Sequence, residues 1–108
     1  MDEALKILAQ QMVKKIDSKI RRELKKNKTK MGRTIGLGAD GTFTKIIDQV
    51  AEDTALKTLK KSNIKVNLLS EEAGFINNDA EYTFVIDPVD GTRNAYRGIP
   101  FFSVSIAI

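Results

Sequence analysis

Tyr82-Thr83-Phe84-Val85-Ile86-Asp87-Pro88-Val89-Asp90-Gly91-Thr92 joins a β-branched and aromatic run to an acidic, turn-forming segment. The run predicts a strand over residues 81–87, because such side chains suit a pleated, half-buried surface. Pro88 fixes its own φ and pushes Asp87 into an extended conformation, which aims the Asp87 carboxylate off the strand end. Asp90 follows closely enough for a turn to bring it beside Asp87, with the Val89 carbonyl between them as a further oxygen ligand. Gly91 admits a positive φ and leaves the Gly91 and Thr92 N–H groups free to face an anion. A helix starting at Thr92 would place those amides at its positive end. The same segment also has the composition of an ordinary turn. On spacing alone, turn and metal site both stay open.

Upstream, residues 64–69 alternate at first, predict another strand, and end in Ser70-Glu71-Glu72. Two acidic clusters therefore follow two apolar strands. Ligands of open α/β sheets gather beyond the carboxyl ends of strands. If the two strands are parallel neighbours, their carboxylates converge, and a divalent cation is the common way to offset the repulsion. Taken alone, Glu71-Glu72 reads as a solvated surface pair. Downstream, residues 102–108 alternate with period two, and the sequence stops inside that strand, which leads us to expect a truncated chain.

Before the strands the period is helical. Leu5, Leu8, Met12, Ile16, Ile20 and Leu24 form one apolar stripe over residues 2 to about 26, with Asp2 as N-cap. Residues 27–43 break that period and read as a loop or loose hairpin. A second helix is expected from Thr44, burying Ile46, Ile47, Val50, Ala51, Ala55 and Leu59 and ending around residues 60–63.

Composition narrows the chemistry. The 108 residues are 42% hydrophobic and 30% charged, enough for one domain with a core. There is no Cys and no His, which excludes disulfides, Cys/His zinc sites, a Cys nucleophile and a Ser-His-Asp triad. A metal bound by oxygens alone would be a hard cation such as Mg²⁺, Mn²⁺ or Ca²⁺. No apolar run approaches the ~20 residues that span a bilayer, and the acidic start shows no secretory signal. Charge is uneven, with net +7 over residues 1–33 and −3 over residues 34–108. The basic cluster from Lys19 to Arg33 could contact phosphates. It lacks interleaved aromatics, so it reads as a solvated helix face and nucleic acid is not the expected partner.

Residues 87–94 together with Gly98-Ile99-Pro100-Phe101-Phe102-Ser103-Val104-Ser105 resemble the signature of the inositol monophosphatase family. Ser70-Glu71-Glu72-Ala73-Gly74 resembles its upstream Glu-Glu motif, and Thr44-Lys45-Ile46-Ile47-Asp48 its Thr-x-x-Asp segment. Residues 40–108 look most like the archaeal branch, whose members hydrolyse inositol phosphates and fructose 1,6-bisphosphate. Ser70 stands where the family usually has Gly, and Ala95 where it commonly has an aromatic residue.

This resemblance, with the patterning, implies an α+β fold. It would be the N-terminal half of a layered, mixed α/β sugar-phosphatase type, two helices packed on a partial sheet. Residues 1–108 would be the metal-binding part, the C-terminal part being absent. The resemblance also implies roles. Glu71, Asp87, the Val89 carbonyl and Asp90 would bind two or three Mg²⁺ ions, with Mn²⁺ as substitute, and Glu72 would contribute through water. Asp48 and Thr92 would position and deprotonate the attacking water, and the Gly91 and Thr92 amides would hold the phosphate. Asp48 also reads simply as a first-turn carboxylate favoured by the helix dipole. The implied protein is a cytoplasmic homodimer acting on a small phosphorylated polyol or sugar. Alternatives are a phosphatase for NADP or 3′-phosphoadenosine phosphate, and a non-catalytic fragment binding cations or nucleic acid.

Overall fold

The computed structural model describes residues 3–39, 43–90 and 103–107. Helix α1 (Glu3–Met31) carries the expected stripe, with Leu5, Leu8, Met12, Ile16 and Ile20 buried and Leu24 partly so. The Asp2 cap lies outside the described residues. Helical geometry breaks at Asn27, where φ is −159° and ψ is 88°. The Asn27 Oδ1 accepts the Lys30 N–H at 3.0 Å, so a further turn restarts and buries Met31. Periodicity thus locates the break, and side-chain capping adds the turn beyond it.

Strands β1 (Thr34–Leu37) and β2 (Phe43–Lys45) pair antiparallel, with an irregular register between Thr34 and Gly36. This is the hairpin anticipated in the Gly-rich stretch. β2 runs directly into α2 (Ile46–Ser62), so that helix starts later than the sequence suggests, because Thr44 is committed to pairing with Gly36. Asp48 in the first turn and Lys60 and Lys61 in the last complement the helix dipole, and Asn63 closes the helix at φ 57°. No described helix is long and apolar enough to cross a membrane.

The main sheet contains β3 (Asn67–Ser70), β4 (Gly74–Ile76), β5 (Thr83–Asp90) and β6 (Ser103–Ala107) in the order β4-β3-β5-β6. β3 and β5 are parallel, and the other pairs are antiparallel. Two expectations need correction. β4 was not anticipated, since so short a strand leaves little periodic signal. β5 does not end at Asp87 but runs through Pro88 to Asp90. Its register against β6 shifts between Asp87↔Ser105 and Asp90↔Ser103, so one extra residue is accommodated as a bulge, where proline is tolerated.

The helices cover one face of this sheet, where Leu68, Phe84 and Ile86 join Ile47, Ala51 and Ala55 in the core. On the other face Leu69 lies opposite both Phe75 and Val85, and Val85 lies opposite Ala107. Leu69, Phe75 and Val85 are 41%, 56% and 46% exposed, so this apolar row is open.

The connection from β4 to β5 is fixed by Asn67, which is buried. Its Oδ1 accepts the N–H groups of Asn78 (2.7 Å) and Ala80 (3.2 Å), and its Nδ2 donates to the Ala80 carbonyl at 3.0 Å. Its own N–H donates to the Tyr82 carbonyl at 3.0 Å. Asn67→Ala strands two backbone donors and one acceptor, so we expect a loss of roughly 2–4 kcal/mol. Urea unfolding followed by circular dichroism would read this. A change under about 0.5 kcal/mol would mean that the connection is held by something else.

Candidate functional site

Parallel pairing sets the geometry of the site. β3 and β5 are in register from Asn67↔Thr83 to Ser70↔Ile86, so the next residues, Glu71 and Asp87, emerge side by side. Both line a cleft of about 440 Å³ beside the end of β3 and the middle of β5, together with Leu69, Ser70, Val85, Ile86 and Ala107. Asp87 is half-buried within β5, while Glu71 is exposed in the turn after β3. Glu72 is half-buried in the same turn, and its carbonyl accepts the Ala39 N–H at 3.0 Å. Across the turn, Gly74 adopts φ +73°, and a Cβ there would sit 3.1 Å from the Ala39 methyl, so glycine suits the position on both counts.

Asp48 has a structural task. Its Oδ2 accepts the Lys45 N–H at 3.0 Å, closing the first turn of α2. Asp48, Glu71, Glu72 and Asp87 each have further polar or charged partners. The backbone of Val89 and Asp90 continues β5, whereas Gly91 and Thr92 lie outside the described residues. Among the described residues, no three acidic side chains are grouped tightly enough to hold a metal ion. What the described part brings together is Glu71 and Asp87, two oxygen donors of the kind that hard cations take.

One group was missed from sequence. Glu52, on α2 one turn beyond Asp48, is only 2% exposed, and its Oε2 has no hydrogen-bond partner among the described residues. Burial pushes its carboxyl above the usual range. The Ser70 hydroxyl opposes that, and the charges of Glu72 and Asp53 add to it. An acidic residue four places after Asp48 falls on the buried helical face, and that spacing was the available signal.

The sign of this shift gives a test. With the folded-state pKa raised, folding favours the protonated form, so the Glu52 contribution is intact below the ordinary glutamate range and fades as pH rises through the folded value. Glu52→Gln should therefore gain stability relative to wild type as pH rises from about 4 to 8. Urea midpoints across that interval would show it, and parallel pH profiles for the two proteins would contradict it.

The model of the inositol monophosphatase family matches residues 1–108. A fructose-1,6-bisphosphatase/inositol-1-monophosphatase of Methanothermobacter thermautotrophicus is 46% identical over 82 residues, covering 71% of this chain and 29% of that protein. A bifunctional NADP phosphatase/NAD kinase of Methanocaldococcus jannaschii is 41% identical over 103 residues, covering 94% of this chain and 17% of that protein. Among solved structures, the extragenic suppressor protein suhB from Bartonella henselae aligns with TM-score 0.79 and 30% identity, over 97% of this chain and 40% of that one. The chain thus spans less than a third of the length of these two sequence relatives. With two helices on a mixed sheet and a match along its whole length, the chain belongs to the inositol monophosphatase family.

Proposed function

We propose that residues 1–108 provide the cation-holding, N-terminal share of a Mg²⁺-dependent phosphatase for small phosphate monoesters. The observation that supports this most is that Glu71 and Asp87 follow the last parallel pair of β3 and β5 and line one cleft. An all-oxygen donor set without His or Cys suits a hard cation. Glu71, Asp87, the Val89 carbonyl and Asp90 hold the cations in this reading, and Glu72 steadies them through water. Bound Mg²⁺ supplies charge stabilisation on the attacking and leaving oxygens of a phosphoryl displacement.

The remaining steps fall to the chain itself. Asp48 and Thr92 orient the attacking water, with Asp48 as the group that takes its proton. For this Asp48 keeps the Lys45 amide on Oδ2, which fixes the carboxylate to the start of α2. The Gly91 and Thr92 amides hold the phosphate. Phosphoryl transfer asks a protein chiefly for positioning and charge stabilisation, so the lack of His and Cys is no obstacle.

Relatives support two substrate classes. The fructose-1,6-bisphosphatase/inositol-1-monophosphatase favours sugar and polyol phosphates. The bifunctional NADP phosphatase/NAD kinase matches a larger share of this chain, and so favours NADP as a second reading. The test is phosphate release from fructose 1,6-bisphosphate, inositol 1-phosphate and NADP by the whole protein, with and without Mg²⁺. We expect Mg²⁺-dependent turnover that falls about a hundredfold or more in Glu71→Gln and Asp87→Asn, the scale of losing a few kcal/mol of charge stabilisation. Full activity in either variant, or without divalent cation, would contradict the proposal.

A further inference from the structure

A groove lined by residues of both α1 and α2 carries six cations and, among the described residues, no carboxylate. Lys14, Lys15, Lys19 and Arg22 come from α1, and Lys57 and Lys61 from α2. Its volume is about 410 Å³, within the size range of small-molecule sites. It shares no lining residue with the cleft of Glu71 and Asp87.

Helix stability does not account for this arrangement. Lys15–Lys19 and Lys57–Lys61 are like charges four residues apart, a spacing that weakens a helix. The dipole of α2 favours Lys61 in the last turn, but neither Lys57 nor the α1 cations. Elsewhere on α1 the same spacing serves ion pairing, as in Arg21–Asp17. Of the six groove cations, Lys19 alone has a carboxylate partner among the described residues, Glu23 at 3.1 Å. Asp53, one turn before Lys57, instead accepts the Gln49 side-chain amide at 2.9 Å.

The lining also selects among anions. Thr54 and Thr58 donate their hydroxyl protons to the carbonyls one turn back, each at 2.8 Å, and keep only lone pairs. Ser18 supplies the remaining hydroxyl, at an exposed position. Recognition therefore falls mainly to the cations, and binding rises with ligand charge. No aromatic ring is among the described lining, so a base finds nothing to stack on. From Lys15 to Arg22 the row extends about 10 Å along α1, the reach of a few phosphates.

We propose that this groove is a second anion site, which holds a chain of phosphates between cations of both helices. The chain is free or carried by a nucleoside. The groove uses no residue of the proposed catalytic site and stands apart from that reading.

Calorimetry on the whole protein, in EDTA at low salt, tests this while the carboxylate cleft holds no cation and repels anions. Tripolyphosphate should bind. Its affinity should fall about tenfold or more in Lys57→Gln/Lys61→Gln, and likewise in Lys15→Gln/Arg22→Gln. All four positions are exposed, so both variants should fold. Lys6→Gln/Lys25→Gln removes two exposed charges outside the groove and should stay within about twofold of wild type. Orthophosphate should bind at least about tenfold more weakly than tripolyphosphate. ATP binding as tightly as tripolyphosphate supports the nucleoside-borne source, and weaker ATP binding supports the free chain.

Absence of tripolyphosphate binding would overturn the assignment, as would a control pair that weakens it as much as the groove pairs. A short single-stranded oligonucleotide that binds more tightly, with the same dependence on the groove pairs, would overturn it in favour of a nucleic-acid surface.

Discussion

Asn67 binds residues 78–82 against the start of β3, and the direction of β5 follows from that. With the connection pinned there, β5 can only leave alongside β3 and parallel to it, starting from Asn67↔Thr83. The parallel ladder ends at Ser70↔Ile86, which leaves Glu71 and Asp87 as the next residue on each chain segment. The adjacency of Glu71 and Asp87 is thus a consequence of a buried amide at the opposite end of the same strands. The helices complete the arrangement by burying Leu68, Phe84 and Ile86, which makes any one-residue slip of register prohibitive.

Electrostatics around the strand ends runs against bringing these groups together. Glu71 and Asp87 share one cleft and the charge of Glu72 reaches the buried Glu52, in a chain whose residues 34–108 carry a net −3. Like charges at short range destabilise a folded chain unless a cation or protons offset them. The basic excess lies in the first 33 residues, where part of it is used locally, in Lys19–Glu23 (3.1 Å) and Arg21–Asp17 (3.0 Å). Those exposed helical pairs contribute little to stability. In the proposed reading, a cation among the carboxylates would offset that charge where it arises.

Much of this was legible before any coordinates. The apolar stripe of α1, the hairpin in the Gly-rich stretch and the strands flanking the acidic clusters all follow from period and composition. Three features were not. The extra helical turn after Asn27 depends on a side-chain cap that periodicity does not record. β4 is too short to show alternation, and only its hairpin partner β3 defines it. β5 continues past Pro88 because a bulge absorbs the residue that would otherwise end the pairing, and a sequence rule that stops strands at proline misses it. At the site, Asp87 and Glu71 stood out as carboxylates after strands. Glu52 did not, since a Glu on a helix is ordinarily solvated and its spacing from Asp48 is a weak signal beside that expectation. Ser70 showed in sequence only as a departure from a usual glycine, and the bond its hydroxyl oxygen accepts from the Ala73 N–H gives that departure a physical role.

The central claim is that Glu71 and Asp87 face one cation between them. Paramagnetic broadening by substoichiometric Mn²⁺ reads this most directly, because amide signals fade in order of distance from the ion. The account predicts that the resonances of residues 70–72 and 86–88 disappear first, while those of α1 persist. Broadening centred on other carboxylates such as Asp53 or Asp79, or spread evenly over the surface, would contradict it.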